Sequence, residues 1–320
     1  MNPFTISFAD LGLRDEATAG GKGANLGELY QARFAVPPGF VVTTTTFSAA
    51  VAQSGISVRL HALLDEIDPS DPSGLGRVAD RLRSLVRELQ VPLELTRAVR
   101  AAYEGLGEDV PVAVRSSAAG EESTSSSFAG MNRRFMPVVG ARDVLARLVD
   151  CWASVYGARV IAYRQLMGSV DEPAIAVVVQ RWVSSCCSGV MLTQDPAEDG
   201  SRHLVIEASA GPGEAVVGGR VTPDTFVVDR TSLAVRSVRL GTRHEGSLSG
   251  PRGGGAARDH AGGTPVLDDD QLAEIAQTGL LIEQHYGTPQ DVEWTLDPSQ
   301  RLWIVRSRPI TLRRQADPHQ

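Results

Sequence analysis

Apolar positions in the first half of the chain recur with helical spacing, whereas in the second half they alternate with polar ones. Residues 20–34 (GGKGANLGELYQARF) read as a glycine turn opening a helix that carries Leu26, Leu29 and Tyr30 on one face. Pro37-Pro38-Gly39 stops it, and a short strand follows at 40–42. Leu75, Val78, Ala79, Leu82, Leu85, Val86 and Leu89 predict a helix, and a second is expected over about 92–103. A buried strand over 110–114 ends at Arg115 and leads into a polar loop, 116–127. A helix over about 142–166 places Leu145, Leu148, Val149, Trp152 and Tyr156 on one core-facing stripe.

Beyond residue 174 the period changes. Strands are expected at 174–183, 189–193, 203–208, 225–229 and 233–238, then a helix at about 268–286 and a hairpin of 291–296 with 302–307. The glycine-dense stretch 246–263 reads as a surface loop, and 315–320 as a tail. A helix-rich half followed by a strand-rich half predicts an α+β protein of two lobes, 1–185 and 186–314.

Composition narrows the function. With 42% apolar and 22% charged residues over 320 positions, the chain can bury a sizeable core. A net charge of −7 argues against nucleic acid as a partner. No run of 18 apolar residues and no basic-then-apolar leader is present, so membrane spanning and export are not expected, and the expected location is cytoplasmic. Cys151, Cys186 and Cys187 fit neither a disulfide framework nor a zinc site and read as reduced thiols. Among 31 basic residues a single one, Lys22, is lysine. A compact ammonium on a flexible stem suits a phosphate in a way that a planar guanidinium does not reproduce.

Four segments can carry chemistry, and each has a bland alternative. Gly20-Gly21-Lys22-Gly23 lacks P-loop spacing and is either a helix-start turn with an exposed lysine or a phosphate contact. The Ser/Gly loop after Arg115 is either a linker or a lid of backbone N–H groups over phosphates. Gly211–Glu214 alone is a tight turn. In the final hairpin Asp291 and Glu293 share one face, as do Arg306 and Arg308 on the next strand. Such a set is either a cross-strand ion-pair ladder or a site where acids hold Mg²⁺ and arginine meets phosphates.

The ordered series GGKGANLGEL, VPPGFVVTT, VAVRSSA, SFAG, VVVQRWV, GVMLTQDP, VIEASAGPGEAVVGGRVTPD, PQDVEW and LWIVRSRPI resembles the ATP-binding domain that opens phosphoenolpyruvate synthase, pyruvate phosphate dikinase and rifampin phosphotransferase. The resemblance covers about residues 5–312. It implies an ATP-grasp-like fold, ATP held between two lobes and Mg²⁺-assisted phosphoryl transfer from ATP. Carried over by position, Lys22 and Arg115 match phosphate contacts, and Gly130 matches the glycine of the loop closing over the phosphates, with Met131, Asn132 and Arg134 beside it. Gln180, Trp182 and Val183 match the adenine hinge, and Glu214 belongs to the nucleotide-binding set. Glu293 matches the Mg²⁺-binding carboxylate, supported by Asp291, and Arg308 matches the arginine of the terminal Q-x-R-P motif.

The chain departs from that pattern in three places. Arg306 stands where the family has the glutamine of Q-x-R-P, replacing a neutral carbonyl with a cation that cannot ligate metal. Arg133 and Arg134 stand where an acid and a threonine are usual, and 241–263 lacks the usual polar segment. The chain ends just after the RP motif, and His61, His203, His244, His260, His285 and His319 sit in no motif resembling the family's phosphohistidine carrier. The expectation is therefore a stand-alone ATP-dependent phosphotransferase whose acceptor is a small molecule or a histidine on a partner protein. The alternative is a nucleotide-binding regulatory subunit without turnover.

Overall fold

The run Val177–Val179 is apolar at every position, and in the folded chain it occupies a sheet centre with both faces covered. The computed structural model describes residues 4–68, 71–118, 133–166, 174–195, 202–213, 221–241 and 263–310. Two units separate after Trp182, each with its own antiparallel sheet. The architecture is α+β.

In the first unit, strands β1 (Thr5–Ser7), β2 (Gly39–Val42), β3 (Val112–Ala118), β4 (Arg134–Val138) and β5 (Ile175–Arg181) lie in the order β1-β2-β5-β3-β4. Helix α1 (Glu16–Gln31) covers one face, where Val41 of β2 meets the backbone at Gly23. The other face is covered by α2 (Thr44–Ser54), α3 (Ser57–Asp65), α4 (Pro72–Arg87), α5 (Leu93–Glu104), α6 (Ala141–Ala153) and α7 (Ala158–Leu166). Ile175, Val177 and Val179 of β5 share one core there with Phe47, Leu82, Val99, Leu148 and Trp152.

Two expectations are corrected, and one segment had none. The stretch 116–118, assigned to a polar loop, is the buried end of β3, paired across to β5 through Ser116↔Val177 and Ser117↔Ala176. Serine is tolerated because each hydroxyl has a partner: that of Ser116 accepts from Arg133 N, and that of Ser117 bonds to α1. The single helix expected over 142–166 is two, α6 and α7. The chain tightens into a 3₁₀ turn at Ser154–Tyr156 and extends at Gly157 (φ −68°, ψ 142°). The segment holding α2 and α3 carried no prediction, and it opens on the β-branched run Thr43–Thr46. The Thr44 and Thr46 hydroxyls instead donate to the carbonyls of Ala17 and Phe4, a tertiary preference that overrides propensity.

In the second unit, β6 (Cys187–Leu192), β7 (His203–Ala210), β8 (Asp224–Asp229), β9 (Val235–Arg239), β10 (Gln290–Leu296) and β11 (Leu302–Pro309) form a sheet in the order β11-β10-β6-β7-β8-β9. Helix α8 (Asp269–Tyr286) packs on one face. It opens with a capping box: Asp268 accepts from Gln271 N and Gln271 accepts from Asp268 N. At Gly279 its backbone approaches so closely that an added Cβ would lie 2.0 Å from Met191 Cε. Beneath it lie Leu204, Ile206, Phe226, Val228, Val292 and Trp294, all buried. The alternate residues form the opposite, polar face, and the site of this unit is there. Among the described residues no helix is long and apolar enough to cross a membrane.

Candidate functional site

Among the described residues, each unit holds a cluster of charged residues that the sequence motifs single out. In the first unit the setting is the start of α1. Gly20 takes φ 68° and ψ 166°, so the helix proper begins only after it. A Cβ there would stand 2.3 Å from both the carbonyl and hydroxyl oxygens of Ser117, a backbone approach only glycine allows. The Ser117 hydroxyl completes the turn by donating to Ala19 O (2.9 Å) and accepting from Gly23 N (3.2 Å).

Lys22 sits inside this turn with 5% of its surface exposed, and Arg115 retains 4%. Arg115 and Ser117 share a face of β3, since strand residues two apart point the same way. Across the ladder Arg134 lies directly opposite Arg115. The pairing of β3 with β4 thus brings two arginines to one rung of the ladder. With the positive end of a helix at the same turn, the arrangement suits a phosphate. The fields of Lys22 and Arg133 also reach Cys151, but burial dominates and pushes that thiol well above its ordinary range, so it stays protonated and inert.

The adenine-hinge candidates lie at the end of β5. Gln180 is buried, with its side-chain amide donating to Pro37 O (3.4 Å), and Trp182 N donates to Pro111 O (2.9 Å). Trp182 closes the first unit and Val183 opens the second. Gly130, Met131, Asn132 and Glu214 lie outside the described residues.

In the second unit the setting is the β10–β11 hairpin. From Leu296↔Leu302 to Trp294↔Ile304 the register is regular, then it shifts by one residue, so that Glu293 pairs with Arg306 and Asp291 with Arg308. The extra residue is Val305. Without this bulge, Arg306 and Arg308 would keep the parity of Leu302 and Ile304 and point into the apolar layer under α8. With it, both guanidiniums lie on the polar face, each opposite a carboxylate. Arg306 Nη1 donates to Glu293 Oε1 (3.2 Å), and Arg308 donates to Asp291 Oδ2 from Nε (2.8 Å) and Nη2 (2.7 Å). The first pair is well covered, its side chains 14% and 11% exposed.

The same row continues across the sheet: Glu293 opposes Val190, and Val190 opposes Glu207. Glu207 is a candidate that the motifs do not single out. Its signal was available, since Leu204, Ile206 and Ala208 alternate with Val205, Glu207 and Ser209. Ser117 is a second, hidden because a serine run resembles a loop.

The donor set tests whether Mg²⁺ fits at Glu293 and Asp291. Mg²⁺ asks for octahedral oxygen ligands, commonly one or two carboxylates with waters and phosphate oxygens. Here an oxygen of each carboxylate faces a guanidinium, a donor group that repels a cation. Among the described residues no group of three or more His, Cys, Asp or Glu is placed to hold a metal. As placed, these residues fit an ion-pair ladder better than a metal site.

The α+β architecture with two antiparallel sheets is consistent with an ATP-grasp-like nucleotide-binding domain. The family model of the pyruvate phosphate dikinase AMP/ATP-binding domain matches residues 16–320, and the chain belongs to that family. It is 40% identical over 315 residues to a probable phosphoenolpyruvate synthase of Archaeoglobus fulgidus, covering 95% of this chain and 41% of that protein. To a probable phosphoenolpyruvate synthase of Methanothermobacter thermautotrophicus it is 38% identical, covering 97% and 46%. To a rifampicin phosphotransferase of a Streptomyces species it is 37% identical, covering 96% and 36%. The chain thus spans less than half the length of these relatives.

Proposed function

We propose that this chain binds ATP and acts as the ATP-using module of a phosphotransferase. The carrying observation is the buried pair Lys22 and Arg115 at the Ser117-clamped glycine turn, in a chain whose family is an AMP/ATP-binding domain. Lys22 and Arg115 contact phosphates, with Arg134 adding charge. Gln180, Trp182 and Val183 receive the adenine, and Gly130, Met131, Asn132 and Glu214 complete the nucleotide set. Arg308 neutralises charge as a phosphoryl or pyrophosphoryl group leaves. Catalysis rests on positioning and electrostatics, since phosphoryl transfer asks little covalent chemistry of the protein. The acceptor is a small molecule or a histidine of a partner protein, and the location is cytoplasmic. Mg²⁺ enters as the ion that ATP carries in solution, and no step runs through a metal held at the hairpin.

Titration calorimetry with ATP tests the binding step. Lys22→Met weakens ATP by roughly tenfold or more, about the worth of one charged hydrogen bond, in protein that a thermal melt shows to be folded. Lys22→Arg does not restore it, because the fork geometry replaces a point charge. ATP affinity unchanged in Lys22→Met overturns the assignment. Nucleotide product analysis then tests turnover. The ladder at Glu293 and Asp291 favours a second reading, nucleotide binding without turnover, and ATP bound tightly with no ADP, AMP or phosphate released against a panel of acceptors would establish it.

A further inference from the structure

The bulge at Val305 is a device with one consequence: it takes two arginines out of the apolar layer and sets them against two carboxylates. A bulge disrupts the ladder locally, and an ion pair as covered as Glu293–Arg306 carries a desolvation cost, so neither serves stability best. Together they fix a positive charge on the polar face, beside the carboxylate where a divalent cation would bind.

We infer that Arg306 supplies, from within the protein, the positive charge that a metal ion would bring to this hairpin, so that ATP binding here is independent of a protein-held divalent cation. Glu293 is then a positioning residue: it orients the Arg306 guanidinium and is not itself a metal ligand. Arg308, held on Asp291 and half exposed, repeats the arrangement one step along the strand. The site accepts a polyphosphate through N–H donors on a rigid strand, where a carboxylate pair would accept it only through a bridging ion.

The inference rests on the nucleotide reading above, and calorimetry with ATP in excess EDTA and in excess MgCl₂ separates the two. Wild-type protein binds ATP with affinities within about threefold of each other in the two conditions. Arg306→Gln, which restores a neutral carbonyl, loses roughly tenfold or more in EDTA and regains affinity with Mg²⁺, which now finds Glu293 open. Glu293→Gln, which loosens the hold on Arg306, loses affinity in EDTA and gains nothing from Mg²⁺. Melting temperatures without ligand confirm that each variant is folded, and a variant that fails to fold leaves the wild-type comparison to decide. Wild-type binding at least tenfold tighter with Mg²⁺, or Arg306→Gln matching wild type in EDTA, overturns the inference and leaves the nucleotide reading standing. Absence of ATP binding by wild-type protein in both conditions overturns the nucleotide reading itself, and this inference with it.

Discussion

The cations of the two units are framed by opposite means. At the start of α1 the framing contacts are neutral: a serine hydroxyl, two backbone groups and a glycine in a conformation barred to other residues. At the β10–β11 hairpin the framing contacts are charged, one carboxylate to each guanidinium. Neutral framing depends on backbone geometry. Charged framing fixes the direction of the charge and depends on register. The first should therefore be broken by steric changes and the second by changes in charge.

The largest effect is expected at Gly20. Gly20→Ala brings a methyl to 2.3 Å from the Ser117 carbonyl oxygen at positive φ. Strain and overpacking together should cost about 3 kcal/mol or more. Urea denaturation should show a much lower midpoint, and ATP binding should fall with it. A midpoint within experimental error of wild type would mean that the neutral frame is not fixed by this close approach.

Gly20 and the hairpin also show how far the sequence could be read. The glycine turn, the lone lysine and the alternation of the later strands were legible, because local spacing alone determines them. The clamp on that turn was not, since Ser117 lies 98 residues from its partner Ala19 and its neighbours are serines. Arg134 opposite Arg115 needed the pairing of β3 with β4, which no local pattern signals. The hairpin was legible as four charges on two strands, and the ladder was one of its two readings. Its parity was not legible. Leu302, Ile304, Arg306 and Arg308 have one period, and only the bulge at Val305 separates the apolar pair from the charged pair.

Ser117→Ala is the next test, and a milder one. It removes two hydrogen bonds and leaves Ala19 O and Gly23 N buried without that partner, which should cost about 1–3 kcal/mol. Affinity for ATP should drop more than stability explains, because the loosened turn no longer holds Lys22. If Ser117→Ala lowers stability while ATP affinity measured on folded protein is unaltered, the clamp is structural only.

Arg308→Ala inverts that pattern. Arg308 is 48% exposed, so losing its pair with Asp291 should change stability by less than about 1 kcal/mol. Phosphoryl transfer, where an acceptor is found, should nonetheless be lost if Arg308 neutralises the leaving phosphate as proposed. Full turnover in a stable Arg308→Ala protein would restrict the hairpin to a structural role.

The smallest effect is a pH dependence confined to the charged frame. Asp297 sits in the turn that joins β10 to β11. It accepts from the hydroxyl and N–H of Ser299 (2.6 and 2.8 Å), from Trp303 Nε1 (2.9 Å) and from Arg301 N (3.1 Å). The Ser299 hydroxyl bond, then the Trp303 bond, lower its pKa from 3.8 to about 2. Asp229, between β8 and β9, is held well below the carboxylate range by Ser232 N–H and then by Arg236. A depressed folded pKa means that the unfolded chain takes up the proton first as pH falls. The contribution of Asp297 is thus complete above the unfolded value near 3.8, declines as pH falls towards about 2, and is flat below that. The hydroxyl and amide contacts at Gly20 do not titrate in this window. Tryptophan fluorescence followed through urea denaturation at a series of pH values should show a midpoint that falls below pH 4 in wild type and falls less steeply in Asp297→Asn. Identical slopes in the two proteins would show that the turn carboxylate does not hold the hairpin, and that the register set by the bulge stands without it.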